Sequence, residues 1–228
     1  MTKNKKIGLL IFSLILVVTV FCGYATINGT YQKYRLEQEV NSLATIKTGE
    51  YTFDESYKTS GSYQCVEKAI KSYFKDYYLL VDDISALSQD DKLKFLLSYD
   101  NLSTDSEFKD SIAFVENNKS DFNNKLDKLI ELSTDDGIHK YISNYELDEY
   151  YIKLYDKLMA SERLKQLFIP VEKLENYRNS MNTKYDVCNE IFSFLNSNRD
   201  DYLFEDNELK LRNDELINQY NLYVSKIA

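Results

Sequence analysis

The chain has 228 residues, with 28 Lys and Arg against 37 Asp and Glu, a net charge of −9, 20 tyrosines and no tryptophan. Without Lys3, Lys5 and Lys6 the remainder carries 25 cations against 37 acids, a net −12, which repels nucleic acid and anionic lipid headgroups and excludes binding to either through a basic face. Six glycines and one proline leave few turn makers, which argues against a many-stranded sandwich or barrel and for an all-α protein of long helices.

Residues 1–6 form a basic tail, and residues 7–27 (IGLLIFSLILVVTVFCGYATI) are an apolar run without charge. At 1.5 Å per residue this run makes a helix of roughly 30 Å, the thickness of a bilayer's hydrocarbon core, and so predicts a transmembrane signal anchor through residues 7–27. The three tail lysines predict a cytoplasmic N-terminus and an extracytoplasmic C-terminal domain, a single-pass topology at the plasma membrane. The competing reading is a signal peptide cleaved after Ala25, which would release a secreted protein, but the apolar core is long for that purpose. Lipid modification at Cys22 is disfavoured because Phe21, not a small residue, precedes it.

Residues 28–61 read as a membrane-proximal helix (31–46, with Leu36, Val40 and Leu43) followed by a polar linker ending at Gly61. The exported domain is 62–228, read as one elongated, mostly antiparallel helical bundle with coiled-coil-like packing. Its first helix opens at Ser62 and carries Val66, Ile70, Tyr73, Tyr77, Leu80, Ile84 and Leu87 at spacings of three and four. A short helix follows over 89–99. A second long helix carries Ile112, Val115, Phe122, Leu126 and Leu129, with Thr104 or Asp105 at its start and Ser133 to Gly137 (STDDG) at its end. Lys119 interrupts that stripe, either to set register, to snorkel outward, or at a break near Asn117 and Asn118.

A third long helix is expected over 138–168, carrying Leu147, Tyr151, Leu154, Leu158 and Leu164 to Leu167, and a fourth over 171–196, carrying Leu174, Tyr177, Met181, Tyr185, Cys188, Phe192 and Leu195. Pro170 between them predicts a kink or a tight corner. Residues 202–211 alternate around Asp206 and Asn207 as a small β-hairpin, and Asn213 caps a final helix through Leu216, Ile217, Tyr220 and Val224.

Cys65 and Cys188 are the two thiols of the exported domain, an even pair that in an oxidising compartment predicts a disulfide; the alternative is two small buried hydrophobes. His139 is the only histidine, placed at a helix start, and no triad, HExxH, CxxC or phosphate-binding glycine loop is present. The acid pairs Asp82–Asp83, Asp90–Asp91, Asp135–Asp136, Asp148–Glu149 and Asp200–Asp201 read as solvated surface, since adjacent acids on a helix point about 100° apart and do not face each other. No catalytic residue, metal site or cofactor is assigned. Tyr141, Tyr145, Tyr150 and Tyr155 are the candidate interaction surface, with bundle packing as the competing account.

Together these features predict a non-enzymatic, membrane-anchored protein of the cell envelope that contacts the bilayer through 7–27 and works by binding an envelope or membrane protein, or a second copy of itself, with no nucleic-acid partner. A ligand-sensing bundle with a separate signalling partner is the alternative. A cell-wall hydrolase ranks third.

Overall fold

A computed structural model describes residues 19, 23, 26–43, 56–88, 90–105 and 107–227. The described chain is mostly helical with one two-stranded antiparallel hairpin. In order the elements are α1 (26–43), α2 (Ser62–Leu87), α3 (Asp90–Leu96), α4 (Tyr99–Thr104), α5 (Lys109–Leu132), α6 (Asp135–Ser143), α7 (Glu149–Met159), α8 (Glu162–Lys165), α9 (Val171–Ser197), β1 (Tyr202–Glu205), β2 (Glu208–Leu211) and α10 (Asp214–Val224). Among the described residues no helix is long and apolar enough to cross a membrane. The span predicted at 7–27 lies outside them, apart from Thr19, Gly23, Thr26 and Ile27, which are helical.

The chain divides into two compact units, Met1–Lys75 with Ile138–Phe168, and Asp76–Gly137 with Ile169–Ala228. In the first, α1 buries Leu36, Val40 and Leu43, and α2 buries Val66, Ile70, Tyr73 and Phe74. Phe168 stacks on Phe74 at 5.7 Å, while Tyr73 meets Tyr141 edge-on at 5.3 Å. The expected single helix over 138–168 is instead three, α6, α7 and α8. Asp148 and Ser161 take extended N-cap conformations before α7 and α8, so short polar residues that favour caps divide a stretch whose apolar spacing alone reads as continuous.

In the second unit α5 and α9 form the main seam. Phe108 stacks on Phe192, Phe122 meets Tyr185 and Asp127 pairs with Arg178, so the two helices run antiparallel. Tyr185 donates to the carbonyl of Leu87 at 3.0 Å, and the Tyr77 hydroxyl accepts from Ile169 N–H at 2.7 Å, so the second half of α2 runs in the same direction as α9. Burial raises the Tyr185 hydroxyl to about 12, so it remains a donor throughout the physiological range. Helix α5 is unbroken at Asn117 and Asn118. Lys119 reaches out of the seam to Asp186, and the next rungs are a reciprocal Asn123–Asn182 amide pair and Asp127–Arg178. These three rungs, four residues apart on each helix, match only in one antiparallel register.

Local chemistry explains the ends of these elements. Phe108 occupies the N-cap of α5 with φ 54°, a left-handed conformation unfavourable for a bulky residue, and its ring is fully buried. Asp105 caps from further back, its carboxylate accepting the Ser111 N–H at 2.9 Å and the Ser111 hydroxyl at 2.8 Å. Asp206 and Asn207, with φ 58° and 62°, form the primed turn that matches the twist of β1 and β2, which pair from Tyr202–Leu211 to Glu205–Glu208. Pro170 takes the N-cap of α9, and Asn213 accepts the Leu216 N–H at 2.9 Å to start α10.

Gly137 does not end a helix but sits inside the first turn of α6, where its N–H donates to the Thr134 hydroxyl at 3.0 Å. A Cβ there would lie 2.1 Å from the Glu131 carbonyl oxygen, a backbone atom that cannot swing away. Gly137→Ala is therefore expected to destabilise the protein by about 1–3 kcal/mol through overpacking, read as a lowered Tm; an unchanged Tm would show that the junction of α5 and α6 yields freely.

Candidate functional site

The most polar buried cluster lies in the first unit. Glu67 is buried on α2, and its carboxylate accepts the N–H groups of Lys58 and Thr59 at 2.9–3.0 Å and the Thr59 hydroxyl at 2.7 Å. One turn on, Lys71 reaches Glu67 at 3.0 Å, Glu39 of α1 at 2.7 Å and the Ser56 carbonyl at 2.8 Å. Burial alone would raise the Glu67 carboxyl, but the hydrogen bonds from Thr59, Lys58 and Lys71 outweigh it and hold the group below its ordinary value. Burial alone would likewise lower Lys71, and the Glu39 and Glu67 carboxylates override it upward. With every partner engaged, this cluster clasps α1, the 56–59 segment and α2 together.

The sequence-predicted tyrosines separate. Tyr155 is fully buried, donates to the Ile138 carbonyl at 2.7 Å and has its hydroxyl pushed up by burial, so it belongs to the core and not to a surface. Tyr141 and Tyr145 are half-buried, and burial raises the Tyr145 hydroxyl. Tyr150 alone of the four is exposed; it packs edge-on against Tyr151 at 5.1 Å and approaches the Tyr63 hydroxyl at 3.4 Å. Burial raises the Tyr63 hydroxyl, reinforced by its bond to Tyr150.

His139 is exposed on α6 with Nδ1 3.0 Å from an Asp156 carboxylate oxygen. Cys65, half-buried on α2, and Cys188, buried on α9, are both free thiols. Burial pushes the Cys188 thiol up to about 11, which leaves it protonated and unreactive at neutral pH. In the acid pairs, Asp83 reaches Lys125 at 2.5 Å and Glu149 reaches Lys153 at 2.7 Å; Asp135, Asp136 and Asp148 are exposed. Among the described residues no three His, Cys, Asp or Glu side chains converge as a metal site.

Two grooves open on the second unit. One, of about 600 Å³, lies between α9 and α10 and is lined by Asp186, Asn189, Glu190, Ser193 and Tyr223. The Asn189 Oδ1 atom is buried there without a hydrogen-bond partner, and Lys226 stands 3.6 Å from Glu190 and over the Tyr223 ring.

The other groove, of about 530 Å³, is lined by Asp91, Lys92, Phe95 and Leu96 of α3, Asn101 of α4, and Asp110, Ser111 and Phe114 of α5. Its base is fixed by Asn101, whose Nδ2 donates to the Leu96 carbonyl at 2.9 Å and to the Ser111 hydroxyl at 2.8 Å. Phe95 and Phe114 are exposed although both are large and apolar. Lys92 turns back toward the Ala86 carbonyl at 3.4 Å, while Asp91 and Asp110 give the groove acidic edges. An apolar trough with aromatic walls, a hydrogen-bonded base and carboxylates at its edge has the anatomy of a protein-docking site. Sequence reasoning missed it; the available signal was Phe114, an aromatic residue off the α5 stripe.

Compared with known proteins, the chain matches no family model, no curated protein and no solved structure.

Proposed function

We propose that this is a single-pass, membrane-anchored protein of the cell envelope, exported on the C-terminal side of residues 7–27, that acts without catalysis by binding another protein. The observation that carries the reading is the Phe95–Phe114 groove: two exposed aromatic side chains walling an apolar trough on a hydrogen-bonded base. Aromatic anchors set in a water-excluding pocket contribute most of the energy of a typical protein interface. The carboxylates of Asp91 and Asp110, on a chain of net charge −9, select a partner segment that is apolar on one face and basic beside it.

The test is a photoreactive phenylalanine analogue placed at Phe95 or Phe114 in the full-length protein in intact cells, with exposed Ser120 as the control position. One protein adduct common to positions 95 and 114 and absent at 120 is expected. In purified form that partner should bind the Phe95→Ala/Phe114→Ala protein roughly tenfold or more weakly at unchanged Tm. No adduct at 95 and 114, or the same adducts at 120, would remove the groove from the interaction.

A further inference from the structure

Helix α1 has two apolar faces. At about 100° per residue Leu36, Val40 and Leu43 share one side, and all three are buried. The same side carries Gln32, which accepts the Ser60 N–H at 2.9 Å, and Glu39, which pairs with Lys71. Ile27, Tyr31 and Tyr34 lie within about 60° of one another on the opposite side. They are 72%, 52% and 58% exposed.

This outward stripe stops after two turns. The next positions on it are Gln38, which is exposed and polar, and Asn41, which accepts a hydrogen bond from Arg163 of α8. The unit thus covers its own helix at Asn41 and leaves bare the portion that directly adjoins the apolar run 7–27. The charges follow the same gradient: Lys33 and Arg35 stand nearest the run, with Arg35 over the Tyr31 ring at 5.2 Å, and Glu37 and Glu39 come after them.

We propose that Tyr31 and Tyr34, with aliphatic Ile27, form a collar seated in the headgroup layer of the outer leaflet, an assignment that rests on the anchored reading above. The headgroup layer is about 5–8 Å deep on each side of the hydrocarbon core. Tyr31 stands about 6 Å and Tyr34 about 10 Å along the axis from Ile27, where the apolar run ends. Helical side chains slant toward the N-terminus, so both rings lean back toward the bilayer, with hydroxyls in the polar layer that tyrosine favours. Because the same helix is clasped to α2 through Glu39 and Lys71, the collar fixes the depth and tilt of the first unit at the membrane surface.

The chain has no tryptophan, so single reporters can be read in the full-length protein. Tyr31→Trp, Tyr34→Trp and Gln38→Trp proteins are reconstituted into phosphatidylcholine vesicles with or without brominated acyl chains, floated after an alkaline wash, and titrated with acrylamide. Expected are a blue-shifted emission, quenching by brominated lipid and protection from acrylamide at position 31, a smaller effect at 34, and free acrylamide quenching with no lipid quenching at 38. A floating protein whose position 31 is as open to acrylamide as position 38 overturns the collar and leaves the anchor standing. Protection at 31 without lipid quenching also overturns it, since a protein would then cover the stripe. A chain that fails to float overturns the anchored reading, and the collar with it.

Discussion

Replacing Glu67 by alanine is expected to destabilise the first unit by about 3–5 kcal/mol, because it removes one member of a buried, hydrogen-bonded ion pair and strands the rest. The N–H groups of Lys58 and Thr59 and the Thr59 hydroxyl lose their common acceptor, and Lys71 loses the carboxylate one turn before it while Glu39 and the Ser56 carbonyl remain. A buried donor left unsatisfied costs about 1–3 kcal/mol on its own, so the loss exceeds that of any single hydrogen bond. Glu67→Gln retains two acceptor lone pairs and the shape but not the charge, and should fall between wild type and alanine. The measurement is hydrogen exchange of α1 and α2 peptides together with urea unfolding of the full-length protein. A Glu67→Ala protein with wild-type protection in α1 would show that the clasp does not hold that helix.

The same cluster sets a pH dependence. Glu67 is held below its ordinary value in the folded protein, so the unfolded chain binds more protons at acid pH; its contribution is present above the ordinary value of 4.5 and is lost as pH falls through the lower folded value. Lys71 is raised, so its contribution is complete below 10.5 and is lost as pH rises through the higher folded value. The clasp is therefore intact across the neutral range and fails at the acidic and alkaline ends.

Features written in short-range chemistry were legible in the sequence. The hairpin followed from Asp206 and Asn207, which tolerate positive φ, and the cap of α10 from Asn213. The start of α2 followed from Gly61, whose φ of 61° ends the preceding segment. Where apolar spacing competed with capping chemistry, spacing misled: residues 138–168 carry a helical stripe, yet Ser143, Asp148 and Ser161 divide it. The clasp was half visible as Glu67 and Lys71 one turn apart beside Val66 and Ile70, but nothing local indicates that Glu39 and the 56–59 backbone converge there. Of the Phe95–Phe114 groove only Phe114, off the α5 stripe, showed in the sequence, since its walls lie on α3 and α5 and only the fold joins them.

Phe122→Ala is expected to cost the second unit about 3–5 kcal/mol, the range for emptying a fully buried aromatic site. Phe122 has no exposed surface, and it meets Tyr177 at 5.7 Å and Tyr185 at 6.1 Å across the α5–α9 seam. Tyr185 is held by its hydroxyl at the Leu87 carbonyl and cannot swing into the space, so the cavity persists instead of collapsing. Neighbouring Lys119→Ala removes only a partly exposed ion pair to Asp186, for which about 1 kcal/mol or less is expected. The contrast between two substitutions three residues apart separates packing from charge as the source of the seam's strength. Hydrogen exchange of α5 and α9 peptides reads it directly: if Lys119→Ala loosened them as much as Phe122→Ala, the polar rungs and not the aromatic layer would hold the two helices together.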